Sequence, residues 1–215
     1  MTLDAALKIL KREIKKFKIP IVGVVAESTH DPFKVLVSTM LSLRTKDVTT
    51  AAASEKLFSL AGTPREMLRL SARTIERAIY PVGFYRTKAK SIRETCGMLL
   101  HKYGGKVPDS MEELLTLRGV GRKTANLVLT LGFNKYGICV DTHVHRITNR
   151  WGYVRTKSPE ETEYALRLKL PRKHWKVIND LLVTYGQNLC APVSPKCSAC
   201  KIYGYCRRVG VVKHR

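Results

Sequence analysis

The sequence predicts an all-helical protein, and three observations carry that expectation. Apolar residues recur at steps of three and four along most of the chain, the spacing of one helix face. Serine or threonine followed three residues later by glutamate stands at three expected helix starts, the pattern of a capping box. No run alternates apolar and polar residues between hairpin-turn signals, so strands are not expected.

Each element follows in order. Leu3, Leu7, Leu10, Ile14 and Phe17 mark the first helix, which Pro20 and Gly23 end. Asp31-Pro32 offers the next helix a cap and a first-turn proline. That helix, residues 33–43, is apolar almost all round, as suits a buried central helix. Asp47 is placed to cap a helix running to about residue 60. The three capping patterns are Thr63 with Glu66, Ser110 with Glu113, and Ser158 with Glu161. Residues 88–103, 124–132 and 174–187 read as further helices.

Composition bounds the function. With 215 residues, 44% hydrophobic and 26% charged, the chain has ordinary globular proportions and room for one large or two small domains. Lys and Arg number 39 against 17 for Asp and Glu, a net charge of +22. That excess points to a polyanion, most often nucleic acid, and argues against an enzyme of cationic metabolites. No apolar stretch is long enough to span a bilayer. The N-terminus lacks the layout of a secretory signal. A cytoplasmic, nucleoid-associated monomer with no membrane partner is expected.

The last 26 residues differ in kind. They contain four of the six cysteines and six Lys/Arg, with no Asp or Glu. The spacing is Cys190-x6-Cys197-x2-Cys200-x5-Cys206. One Cys-x-x-Cys pair with longer flanking loops suits a [4Fe–4S] cubane better than a four-cysteine zinc site, which commonly uses two such pairs. Zinc stays open as the alternative, and four unliganded exposed thiols would be an oxidation hazard. Lys196, Lys201, Arg207 and Arg208 flank the ligands and could offset a negative cluster or meet a phosphate backbone. Cys96 and Cys139 stand alone and are expected to be small buried side chains.

Leu117-Arg118-Gly119-Val120-Gly121-Arg122-Lys123-Thr124-Ala125-Asn126 joins two expected helices. A Gly-x-Gly turn lets backbone N–H groups converge, and the following helix end is positive, so the segment can hold a phosphate. A plain tight turn is the alternative. Lys123 is the sharper feature. Lysine in a first helical turn opposes the macrodipole, and its amine is a candidate nucleophile. Downstream, Asp141 in Val140-Asp141-Thr142-His143 precedes a helix and reads as an N-cap that could also do chemistry.

These three segments, in this order, resemble the endonuclease III family of helix-hairpin-helix DNA glycosylases. Leu41-Ser42-Leu43-Arg44-Thr45-Lys46-Asp47 and Gly83-Phe84-Tyr85-Arg86-Thr87-Lys88-Ala89 extend the resemblance to nearly the whole chain. It implies a two-lobed fold: a six-helix barrel at 25–135, and an iron–sulfur lobe from 1–24 and 136–215 with its cluster loop at 190–206. Double-stranded DNA carrying damaged bases or abasic sites would lie between them, with the damaged nucleotide flipped out.

By the same resemblance Lys123 is the nucleophile, Asp141 its partner, and Cys190, Cys197, Cys200 and Cys206 hold a [4Fe–4S] cluster. The implied activity is a base excision repair glycosylase with AP lyase activity on oxidised pyrimidines. Gly119, Val120, Gly121, Arg122, Thr124, Lys196 and Arg207 are expected to contact DNA. Arg44 stands where the family commonly carries glutamine, the side chain that fills the gap left by the flipped base. A guanidinium there could read a widowed guanine. Phe84 resembles the second wedge position, with core packing as its alternative. His143 is expected to order the Asp141 turn. The competing readings are a mismatch, uracil or oxidised-purine glycosylase of the same superfamily, and a non-catalytic, metal-stabilised DNA-binding protein.

Overall fold

The computed structural model describes residues 2–17, 25 and 31–215. Among them every regular element is helical. In chain order these are α1 (Leu3–Glu13), α2 (Pro32–Ser42), α3 (Asp47–Leu60), α4 (Pro64–Arg69), α5 (Ala72–Ile79), α6 (Tyr85–Tyr103), α7 (Met111–Thr116), α8 (Arg122–Leu127), α9 (Thr142–Arg150), α10 (Pro159–Lys169) and α11 (Ile178–Asn188). Short 3-10 turns cover Ile14–Lys16 and Arg172–His174, and α8 runs on as a π-helical turn over Val128–Gly132. The expected stop of the first helix at Pro20 and Gly23 lies outside the described residues. No described helix is long and apolar enough to cross a membrane.

The chain divides into two compact units. One is contiguous, Ile21–Gly137. It is built round α2, on which Phe33 and Val35 through Leu41 are all buried. A helix buried that far round has no polar face to offer water, so neighbours must enclose it. α3, α6, α8 and the π-helical turn all pack on it. The other unit joins Met1–Pro20 to Ile138–Arg215. There α11 packs against α9 and α1, burying Leu7, Leu10, Val144, Ile147, Leu181 and Leu182. Asp4, at the start of α1, accepts from Lys173 Nζ at 2.7 Å and His174 Nε2 at 2.6 Å, tying the two ends of this unit together.

Helix starts follow local chemistry, with instructive exceptions. Asp31 accepts from Phe33 N at 2.8 Å with Pro32 behind it, as the sequence predicts. Asp47 does not cap α3. The helix begins one residue earlier, Lys46 is the N-cap, and Asp47 instead places its charge at the positive helix end. Of the three expected capping boxes, only Thr63 with Glu66 is reciprocal. At Ser110 the hydroxyl accepts from Glu113 N but donates to Glu113 Oε2 at 2.9 Å, drawing the carboxylate away from the backbone. At Ser158 the Glu161 carboxylate accepts from Lys157 N, one residue early. Ser71 caps α5 with threonine rather than glutamate three residues on, so the box pattern does not reveal it.

Removing the reciprocal cap by Thr63→Ala should cost about 1 kcal/mol in chemical denaturation. Glu66 Oε2 accepts from Gly62 N at 2.8 Å and Thr63 N at 3.1 Å. These bonds, the Gly62 one foremost, hold its carboxyl below the ordinary value of 4.5. The folded pKa is therefore below the unfolded one. The resulting stabilisation is complete above about pH 4.5 and lost as the pH falls through the folded value. Glu66→Gln should lower the neutral-pH plateau of an acid-unfolding curve and flatten its fall through this range, the two proteins converging at low pH.

Candidate DNA-contact and cysteine sites

In the contiguous unit, residues 117–121 form the hairpin between α7 and α8. Leu117 and Val120 anchor it in the core, and Val120 N donates to Leu117 O at 3.2 Å. Gly119 has φ +76°, and a Cβ there would meet Ser91 and Met40 at 3.3 and 3.4 Å. Both the left-handed turn and the close approach favour glycine at this position. Thr95 Oγ1 donates to Arg118 O at 2.9 Å, fixing the hairpin against α6. Gly121 caps α8 with nothing crowding it.

The turn therefore leaves Gly119 and Gly121 exposed and Arg122 and Lys123 half-buried at the first turn of α8. Thr124 is 1% exposed and Val120 7%. Their side chains face the core, which leaves the backbone as the part of these two residues that a ligand could meet.

Two other expected contact residues of this unit sit side by side. Arg44 and Phe84 both adopt left-handed backbone, with φ 54° and 58°. The Arg44 guanidinium lies 5.7 Å from the Phe84 ring centre. Phe84 is 63% exposed, which excludes core packing.

In the other unit Asp141 is the N-cap of α9. Its Oδ1 accepts from His143 N at 2.8 Å and Val144 N at 2.9 Å. Both bonds use one oxygen, so the carboxylate is locked in direction. Arg146, which can only donate, gives Nη2 to His143 Nδ1 at 3.0 Å. A Cβ on Gly186 would meet that same nitrogen at 2.4 Å. His143 is thus wedged between α9 and α11, in keeping with its expected ordering role.

The four clustered cysteines are free of disulfides and line one pocket together with Arg150, Trp151 and Tyr185. Arg150, 8% exposed, donates to Cys190 Sγ at 3.3 Å, Ala191 O at 2.7 Å and Pro192 O at 2.6 Å. Tyr185 Oη donates to Cys200 Sγ at 3.1 Å, and Arg208 N to Cys206 Sγ at 3.4 Å. Three of the four sulfurs therefore receive a donor. Burial and the neighbouring thiols push Cys197 and Cys206 up, so these thiols resist ionising unless a cationic centre compensates. Among the described residues no three ligand-type side chains converge on a single ion. Lys196 and Arg207 are exposed beside the pocket. Sequence reasoning missed Arg150 and Tyr185, whose partners lie 15 or more residues away. Cys96 and Cys139 are buried, as expected. Burial pushes the Cys96 thiol up to about 12.

Residues 37–172 match the HhH-GPD superfamily of base excision DNA repair proteins. The chain belongs to this superfamily. Within the HhH-GPD proteins it is similar to endonuclease III of Thermotoga maritima, 49% identical over 86% of this chain and 89% of that one. Endonuclease III-like protein 1 of Gallus gallus is 48% identical over 78% of this chain, which spans 61% of the bird protein's length. A solved endonuclease III–DNA covalent intermediate superposes with a TM-score of 0.85 at 31% identity, covering 96% of this chain and 94% of that one. The all-helical architecture is that of the endonuclease III fold, and the chain is a base excision repair glycosylase/lyase.

Asp141→Ala removes the α9 cap and should cost about 1 kcal/mol, whereas Asp141→Asn keeps an acceptor and should stay within about 0.5 kcal/mol in thermal unfolding. The asparagine variant is therefore the one in which to measure the carboxylate's chemistry.

Proposed function

We propose that this HhH-GPD protein removes oxidised pyrimidines from double-stranded DNA and cuts the strand at the resulting abasic site. The observation that carries the reading is Lys123, half-buried in the first turn of α8 directly after the hairpin. Backbone phosphate binding does not need an amine there. An imine does, because only a nitrogen nucleophile can form one.

In this reading Lys123 Nζ attacks C1′ and the damaged base leaves. The sugar ring opens to an imine between Nζ and C1′. Loss of a C2′ proton then breaks the bond from C3′ to its phosphate oxygen and cuts the strand. Asp141, held by its two backbone bonds, supplies a fixed negative charge for the sugar cation and a site for proton transfer. The exposed backbone at Gly119 and Gly121, with Arg122, Lys196 and Arg207, binds phosphates. Arg44 and Phe84 fill the stack when the nucleotide leaves it. The contiguous unit is the helix-hairpin-helix lobe, and the unit made from both chain ends is the cluster lobe.

Cys190, Cys197, Cys200 and Cys206 hold a [4Fe–4S] cluster. Their shared pocket and the donors to three sulfurs fit an anionic, multi-iron centre. When bound, such a cluster supplies structural order or electron transfer. The protein purified without oxygen should contain iron and acid-labile sulfide in equal amounts, with broad visible absorbance lost in Cys200→Ser. Zinc in place of iron would overturn the assignment.

Borohydride trapping on duplexes containing thymine glycol, 5-hydroxyuracil, uracil, 8-oxoguanine or an abasic site tests the activity. A covalent adduct with the oxidised pyrimidines and the abasic site, lost in Lys123→Ala, is the expected result. An adduct at the abasic site alone would keep the lyase and discard the base assignment. Base release without any adduct would mean a monofunctional glycosylase.

A further inference from the structure

Lys88 is a buried lysine, 9% exposed, and its three acceptors lie at the end of α2 and in the loop that follows it. Its Nζ donates to Leu41 O at 2.7 Å, Leu43 O at 2.6 Å and Thr45 Oγ1 at 3.2 Å. Leu41 and Leu43 lie at the C-terminal end of α2, where helix carbonyls have no partner in their own helix and the macrodipole is negative. The ammonium therefore caps α2 from another helix. It has three protons for three acceptors.

The same contacts join two loops. Thr45 Oγ1, which accepts from Lys88, also accepts from Gly83 N at 3.2 Å. Any Cβ on Gly83 would come within 2.7 Å of Arg44 O, so only glycine lets the loops close this far. Lys88 N donates in turn to Phe84 O at 3.0 Å. The two residues held by this clamp, Arg44 and Phe84, are both non-glycine residues in left-handed backbone. Such conformations cost free energy and persist only when the surroundings over-determine them. Here the surroundings are Lys88, Thr45 and Gly83.

We propose that Lys88 is a positioning residue that, through Thr45 and Gly83, locks Arg44 and Phe84 into one rigid two-pronged wedge for the base stack of duplex DNA. A wedge must hold its shape against the stacking free energy it displaces. Two independent surface loops would yield instead. The proposal rests on the proposed DNA-wedge roles of Arg44 and Phe84, and it adds the residues that make them act as one.

The test uses the full-length protein and a duplex with 2-aminopurine opposite a tetrahydrofuran abasic analogue. Wedge insertion replaces neighbour stacking of the 2-aminopurine and raises its emission. Wild type should give the rise. Lys88→Met should lose it to the level of an Arg44→Ala, Phe84→Ala double variant, while anisotropy with an undamaged duplex stays unchanged. Thr45→Val removes the relay to Gly83 while leaving the cation its two carbonyl acceptors, Leu41 O and Leu43 O, so it should lose the rise even if Lys88→Met fails to fold. A full rise in folded Lys88→Met, or in Thr45→Val, would overturn the proposal. So would loss of undamaged-duplex binding in step with the rise, because that is general collapse rather than positioning. Borohydride trapping on the same preparations reports the enzymatic reading separately. A wedge signal without any adduct would sink that reading and leave this one standing.

Discussion

The contiguous unit depends on a helix that has almost no outside. Because α2 is buried on nearly every side, its sequence can carry no polar face, and its ends have to be satisfied by groups brought from elsewhere. Asp31 closes the front end locally. Lys88 closes the rear end from α6. Met40, in the same helix, forms part of the wall that Gly119 packs against. One buried rod thus sets the place of the hairpin and of the Arg44 loop. Both are displayed at a surface that an apolar helix could never form by itself.

The unit built from the chain ends solves a related problem with cations. Arg150 and Arg146 leave α9 and reach into the cysteine loop, where backbone carbonyls would otherwise lack partners. Arg146 gives Nε and Nη2 to Cys190 O at 3.2 and 2.8 Å, and Arg150 takes Ala191 O and Pro192 O. A loop with no helix or strand of its own is held open by these guanidinium forks. Burial lowers the Arg146 proton affinity, and the neighbouring Cys190 opposes that shift. Substituting either arginine would remove charge compensation and loop scaffolding together.

What the sequence made legible was local. Asp31 with Pro32, Thr63 with Glu66, and Asp141 are read from neighbours two or three residues away, and the structure places them as caps. Asp47 was misplaced because a one-residue shift in a helix start is invisible to such a pattern. Lys88 and Arg150 were invisible for a different reason. Their partners lie 40 or more residues away, and a lysine or arginine on a charged chain carries no mark that it is buried. The inward turn of Val120 and Thr124 was hidden likewise, since a motif names residues without saying which side of the backbone faces the core. The Lys123, Asp141 and cysteine motifs stood out through their combination and order, not through any single residue.

The discontinuity of the second unit bears on how the chain is made. Leu7 and Leu10 of α1 find their apolar partners on α11, about 170 residues further along. At roughly 5–20 residues per second of synthesis, α1 leaves the ribosome on the order of ten to thirty seconds before that partner exists. The contiguous unit needs nothing from beyond Gly137 to bury its own core. During elongation it can therefore be finished while α1 still waits with its apolar face uncovered. The basic residues Lys8, Lys11, Arg12, Lys15 and Lys16 keep that waiting segment charged, the kind of composition that holds a lone amphipathic helix in solution until the cysteine-bearing end arrives.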